Sequence, residues 1–133
     1  MKPTKAILTN QELEIMKIVW KRGSSTVREV YEDLLRHRKI AYTTVMTMMG
    51  TLEQKGRLRK FERGRAYVYT PIETESKVVG SLVQEFVKRV FNGSASPLLV
   101  HLVESMEGDQ GQLEEIRMLL NEKRFLKDKR RKK

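Results

Sequence analysis

Residues 41–71 read AYTTVMTMMGTLEQKGRLRKFERGRAYVYTP, and their pattern decides the fold. Val45, Met48, Met49 and Leu52 recur at i, i+3, i+4 and i+7, the buried stripe of a helix. The opposite face carries Thr43, Thr44, Thr47, Thr51 and Gln54 and no acidic side chain. Small hydroxyl-bearing and methyl-bearing side chains fit a DNA major groove, where they meet base edges and thymine methyls. A merely solvated face is the alternative, yet threonine is a mediocre helix former whose presence needs a reason. Gly56 ends the helix. A basic hairpin follows, with its turn at Arg63-Gly64-Arg65 and with Phe61, Tyr67 and Tyr69 as apolar anchors on the strands. A polar helix followed by a basic β-hairpin is the layout of a winged helix-turn-helix, the helix in the groove and the wing on backbone. Gly50 inside the helix costs roughly 1 kcal/mol against alanine. It either lets DNA or a neighbouring helix come close or is simply that cost, and both readings stay open.

Two punctuated helices precede this segment. Thr9 with Glu12 makes a capping box, opening a helix whose apolar face is Leu13, Met16, Val19 and Trp20 and which Gly23 closes. Trp20 lies on that face and reads as a core anchor rather than a ligand platform. Thr26 with Glu29 makes a second capping box, followed by the stripe Val27, Val30, Tyr31, Leu34 and Leu35. Arg36, His37, Arg38 and Lys39 end this helix, where cations suit the negative end of its dipole. They also stand directly before the groove helix, with Arg38 and Lys39 in reach of phosphates.

Charge agrees with a polyanionic partner. The 133 residues carry a formal charge of +10, distributed as +8 over residues 1–72, −5 over 73–122 and +7 over 123–133. The basic residues do not line one amphipathic helix, which argues against a membrane surface. No cysteine is present, so disulfides, thiolate metal sites and thiol redox sensing are excluded. The N-terminus shows no apolar signal region and no run long enough to span a bilayer, and a cytoplasmic protein without cofactor is expected.

Beyond Pro71 the chain changes character. Thr74 to Phe91 reads as a helix with Val78, Val79, Leu82, Val83, Phe86, Val87, Val90 and Phe91 apolar. Asn92-Gly93-Ser94-Ala95 breaks it, and Ser96-Pro97 restarts a helix bearing Leu98, Leu99, Leu102 and Val103. After Gly108, Asp109 caps a third helix with Leu113, Ile116, Leu119 and Leu120. Three such helices offer more apolar face than so small a unit can hide. Burial against a second copy in a two-fold dimer is the simplest solution; packing onto the N-terminal domain is the alternative. The expected architecture is mainly α with a small β-hairpin. It comprises a winged helix-turn-helix domain (1–72), a three-helix dimerisation domain (73–123) using Leu82, Phe86, Leu98, Leu99, Leu102, Ile116, Leu119 and Leu120, and a basic, solvated tail (124–133).

In these residues the chain resembles the penicillinase-repressor family of bacterial transcriptional regulators, which includes methicillin-resistance and copper-responsive repressors. The resemblance runs from about Leu8 to about Lys123. It is carried by Leu13-Glu14-Ile15-Met16-Lys17-Ile18-Val19-Trp20, Ala41-Tyr42-Thr43-Thr44-Val45-Met46-Thr47, Gln54-Lys55-Gly56 and Tyr67-Val68-Tyr69, in order and at matching spacing. It implies a homodimeric repressor on double-stranded operator DNA of the inverted TACA/TGTA type, with Thr43, Thr44, Met46 and Thr47 facing bases. Tyr42 and Thr51 on the helix, Arg38 and Lys39 before it, and Arg63 and Arg65 on the wing complete the candidate interface. Copper-responsive members end in a cysteine cluster, and this chain has none, which rules out that kind of sensing. β-Lactam-responsive members are inactivated by cleavage in the dimerisation domain at an Asn-Phe pair, which makes a membrane-bound sensor metalloprotease a further implied partner. The corresponding position here reads His101-Leu102, a departure that puts the same cleavage specificity in question.

Two other classes compete. His37 and His101, the only histidines, fall in separate expected domains with no triad around them, and no phosphate loop or H-E-x-x-H occurs, so an enzyme finds little support. A winged-helix assembly adaptor would show exposed apolar residues where the threonines stand. A winged-helix regulator controlled by a small-molecule ligand is the closer competitor.

Overall fold

The computed structural model describes the backbone of residues 7–131 and the side chains of residues 7–122. Three helices come first: α1 (Asn10–Arg22), α2 (Val27–Leu35) and α3 (Tyr42–Gln54). A hairpin of β1 (Leu58–Arg63) and β2 (Ala66–Pro71) follows, then α4 (Glu75–Phe91), α5 (Ala95–Ser105) and α6 (Gln110–Arg131). The molecule divides into two units, Met1–Ser81 and Leu82–Lys133, so the division falls inside α4 rather than after residue 72. The first turns of α4 belong with the N-terminal unit for physical reasons. Val78 is buried there, the Trp20 indole donates to the Glu73 carbonyl at 3.0 Å, and Lys17 pairs with Glu75 at 3.2 Å.

Both expected capping boxes form. Thr9 and Glu12 exchange bonds of 2.9 and 3.1 Å, and Thr26 and Glu29 repeat the same pair of distances. The buried face of α1 is Glu12, Ile15, Met16 and Val19, not the expected Leu13, Met16, Val19 and Trp20. This is still an i, i+3, i+4, i+7 stripe, but its first member is charged and so does not register in an apolar pattern. Leu13 and Trp20 flank the stripe half-buried. In α2, Val30 and Leu34 are buried, whereas Leu35 is exposed because it lies one residue, about 100°, beyond the stripe. Arg22 clamps the end of α1 to α2 through two bonds to Asp33, at 2.9 and 3.0 Å. Those bonds hold the Asp33 carboxyl below its usual range despite some burial.

α3 contributes Val45, Met49 and Leu52 to the core. It ends in a Schellman motif: Gly56 takes φ 78°, its N–H donates to Glu53 O at 3.0 Å, and Arg57 N–H donates to Leu52 O at 2.9 Å. A Cβ at Gly50 would meet nothing within 4 Å, so no neighbouring helix requires that glycine. β1 and β2 pair antiparallel from Leu58↔Pro71 to Arg63↔Ala66, which reduces the loop to Gly64-Arg65 with Arg63 still on the ladder. Positive φ falls on Gly64 alone, at 64°, as a type II′ turn demands. Ser25 adds a bridge to the hairpin, its N–H donating to Tyr69 O at 2.9 Å and its carbonyl accepting from Tyr69 N at 2.8 Å.

Only the base of the hairpin is packed. Leu58, Val68 and Tyr69 are buried, while the expected anchors Phe61 and Tyr67 are 41% and 50% exposed. Phe61 stays exposed although it stands opposite the buried Val68 in the ladder, so the core covers only the β2 member of that pair.

In the second unit, Asn92 and Gly93 take φ of 53° and 88°, turning the chain so sharply that α5 starts at Ala95 behind Ser94. Ser96-Pro97, expected at the cap, lies inside the first turn, where proline loses no helical bond. The Asp109 carboxylate accepts from Gln112 N at 3.0 Å and caps α6 as expected. That helix runs on to Arg131, taking in most of the stretch expected as a solvated tail. The side chains of residues 123–133, and with them any role of the basic tail, lie outside the described residues.

Candidate nucleic-acid interface

The polar face of α3 is open. Thr43, Thr44, Met46 and Thr47 are exposed, while Val45, Met49 and Leu52 on the other side are buried. No acidic residue stands in the first turn of α3, and Ala41 at its N-cap offers no side-chain acceptor. In α1 and α2 the capping boxes satisfy the N–H groups of the N-cap and of the third helical residue; α3 has no side-chain cap, so its leading N–H groups are left to solvent or to a ligand. Thr51 differs from the other threonines. It is half-buried, and its hydroxyl donates to Thr47 O at 3.1 Å, so it is committed to its own helix.

The far end of α3 is fastened to the body by charge. The Lys55 ammonium meets both oxygens of the buried Glu12 carboxylate at 2.7 and 2.9 Å and donates to Ile7 O at 3.3 Å. Burial raises the Glu12 pKa, but the Lys55 and Thr9 bonds outweigh it and hold the carboxyl below its ordinary value. Lys60 on β1 reaches Glu53 at 3.8 Å, linking the wing to the same end of the helix.

The other expected residues sort differently. Arg38 is turned toward α1, bonding Glu14 at 2.8 Å, whereas Lys39 is exposed. Arg63 and Arg65 are exposed at the end of the hairpin. Tyr42 lies edge-on to Tyr31 at 5.4 Å between ring centroids, and the Arg28 guanidinium lies 5.5 Å from the Tyr42 centroid. Pairing puts Arg59, Phe61 and Arg63 on one face of the wing and Lys60, Glu62 and Tyr67 on the other, with Lys60 4.6 Å from the Tyr67 centroid. Arg28, Arg59 and Lys60 are not among the residues expected from the sequence. Arg59 and Lys60 are visible in principle, as part of the basic composition of β1. The place of Arg28 beside α3 depends on a tertiary contact that spacing does not show.

The second unit has the opposite character. No described residue from Leu82 to Glu122 is buried. Phe86, Leu99, Leu102, Leu119 and Leu120 are exposed, Leu82, Leu98 and Ile116 are half-buried, and Val83, Val90, Val100, Val103 and Met118 extend the apolar surface. Leu99, Val103, Leu113, Ile116 and Leu120 line an open groove of about 220 Å³ between α5 and α6. No helix among the described residues is long and apolar enough to cross a membrane.

An amphipathic third helix, a basic hairpin behind it and a following helical unit define a winged helix-turn-helix protein with a second, helical domain. The sequence model of the family described as Penicillinase repressor matches residues 8–122, and the chain belongs to that family. It is 30% identical over 115 residues to the "Penicillinase repressor" of Bacillus licheniformis, covering 86% of this chain and 90% of that one. Its identity to "Transcriptional regulator BlaI" of Mycobacterium tuberculosis is 34% over 105 residues, 77% of this chain and 76% of that one. Among solved structures it is similar to the "DNA binding domain of the repressor BlaI", with a TM-score of 0.50, 38% identity, and coverage of 57% of this chain and 92% of that one.

Proposed function

We propose that the chain is a sequence-specific transcriptional repressor that binds an inverted-repeat DNA operator as a homodimer. The observation that carries this is the acid-free, exposed face of Thr43, Thr44, Met46 and Thr47 on a helix fixed by the Lys55–Glu12 pair. A groove-reading helix must be held rigidly, because a base contact discriminates only when the side chain meets one donor–acceptor pattern. Arg63 and Arg65 on the wing supply phosphate contacts that set register. Relatives named as repressors support the same reading.

The homodimer follows from the second unit, where Leu82 to Glu122 hide no described residue within one chain. A second copy, related by a two-fold axis, covers those faces and matches the symmetry of an inverted repeat. The chain acts without catalysis and without cofactor, in the cytoplasm where its DNA lies. Relief of repression by a membrane-bound sensor metalloprotease fits the family. His101 and Leu102 are exposed on α5, so a cut there opens the dimer-forming surface. The adaptor alternative loses ground because the large apolar surface is on the second unit and not around the α3 threonines.

A gel shift of the full chain against its own upstream region, with a footprint of any bound site, tests the function. Protection of an inverted repeat supports it; binding no tighter than to random duplex of the same length contradicts it.

A further inference from the structure

We infer that Arg28, held in place by Tyr42, is a phosphate clamp of this interface that the polar face of α3 does not include. This rests on the DNA-binding reading above and adds to it a residue of α2. Arg28 is exposed and has no ion pair among the described residues; its guanidinium lies against the Tyr42 ring, 5.5 Å from the centroid. The nearest carboxylate in sequence is already committed, since Glu29 accepts from Thr26 N at 2.9 Å and pairs with Arg22 at 3.6 Å. Tyr42 in turn is braced edge-on by Tyr31 at 5.4 Å. The ring is therefore a fixed shelf at the first residue of α3, next to Thr43 and Thr44.

A guanidinium lying over a ring face spends no N–H donor on that contact, so its fork stays free to match phosphate oxygens. An arginine spent on a carboxylate, as Arg38 is on Glu14, has given up this capacity. The stack thus stabilises one rotamer of a long, flexible side chain without consuming its donors. Arg28 is the phosphate-binding group, and Tyr42 is a positioning residue rather than a base reader.

The test uses full-length protein and two duplexes, one carrying the inverted TACA/TGTA repeat and one of random sequence, titrated by fluorescence anisotropy from low to moderate salt. Arg28→Ala is expected to weaken both duplexes about tenfold, the scale of a hydrogen bond to a charged group. It also lowers the slope of log K against log salt by about one unit per protomer. Tyr42→Phe keeps the ring and is expected to lose less affinity than Tyr42→Ala. Tyr42→Ala loses part of the affinity, and the double variant Arg28→Ala/Tyr42→Ala is no weaker than Arg28→Ala alone. Lys21→Ala, an exposed cation elsewhere, controls for net charge and leaves the slope unchanged. An Arg28→Ala slope equal to wild type, or additive losses in the double variant, overturns the clamp. Wild-type protein that fails to distinguish the two duplexes overturns the sequence-specific reading instead, which keeps the two failures apart.

Discussion

Glu12 takes part in two structures at once: it closes the cap of α1 and it anchors Lys55 at the end of α3. Replacing it by glutamine leaves the Lys55 ammonium without its counter-charge. The expected loss is about 2 kcal/mol, less than for a fully buried pair because the Lys55 side chain keeps 20% of its surface exposed. The pH dependence has a definite sign. The folded-state pKa is depressed, so the stabilisation is present above the ordinary glutamate range and disappears as pH falls through the lower, folded value. Urea unfolding of wild type and Glu12→Gln should therefore differ at neutral pH and converge on acidification. A gap that widened toward acid pH would mean the pair is not formed. Ser25 makes the complementary case. Its hydroxyl is buried and has no hydrogen-bond partner among the described residues. Ser25→Ala should be neutral or stabilising in thermal melts, because it removes a desolvated group that gains nothing in return. At the DNA-facing surface, Thr47→Ala should weaken the cognate operator by roughly 1–3 kcal/mol per site and leave random DNA nearly unchanged.

Among the elements, those set by local chemistry are legible in the sequence and those set by tertiary context are not. The two capping boxes, the glycine stop of α3 and the Asp109 cap depend on residues a few positions apart and form where the pattern places them, and the hairpin forms with a turn one residue shorter than expected. The face of α1 differs from expectation because hydrophobicity and burial part company at Glu12, whose charge is neutralised by a residue 43 positions away. The wing aromatics differ because periodicity tells which way a strand residue points but not whether anything stands opposite. Phe61 and Tyr67, both expected as anchors, lie on opposite faces of the ladder and both meet solvent. The threonine face of α3 is legible, whereas the engagement of Arg38 by Glu14 and of Arg28 by Tyr42 depends on distances between helices. For the wing as an element, Arg65→Ala should weaken operator and random duplex alike and lower the salt slope by about one unit for each phosphate no longer neutralised. A change in base preference would mean that the wing reads sequence.

At the scale of the whole molecule, the N-terminal unit has a closed core running from Leu8 to Val78, and the second unit has none among its described residues. Stability of the second unit is thus tied to association, and operator affinity is tied to protomer concentration. Ile116→Glu with Leu119→Glu places two charges in the apolar surface of α6, and sedimentation should then show monomers that bind the operator far more weakly. The most direct test of the account as a whole is the spacing dependence of binding by the wild-type chain. One duplex carries the two arms of the inverted repeat that the footprint protects, at the separation found there. Another has about five base pairs, half a helical turn, inserted between them. A rigid two-fold dimer reading both arms with α3 should bind the first at two chains per duplex and lose at least about a hundredfold in affinity on the second. Equal affinity for the two duplexes, or one chain per duplex on the first, would contradict it.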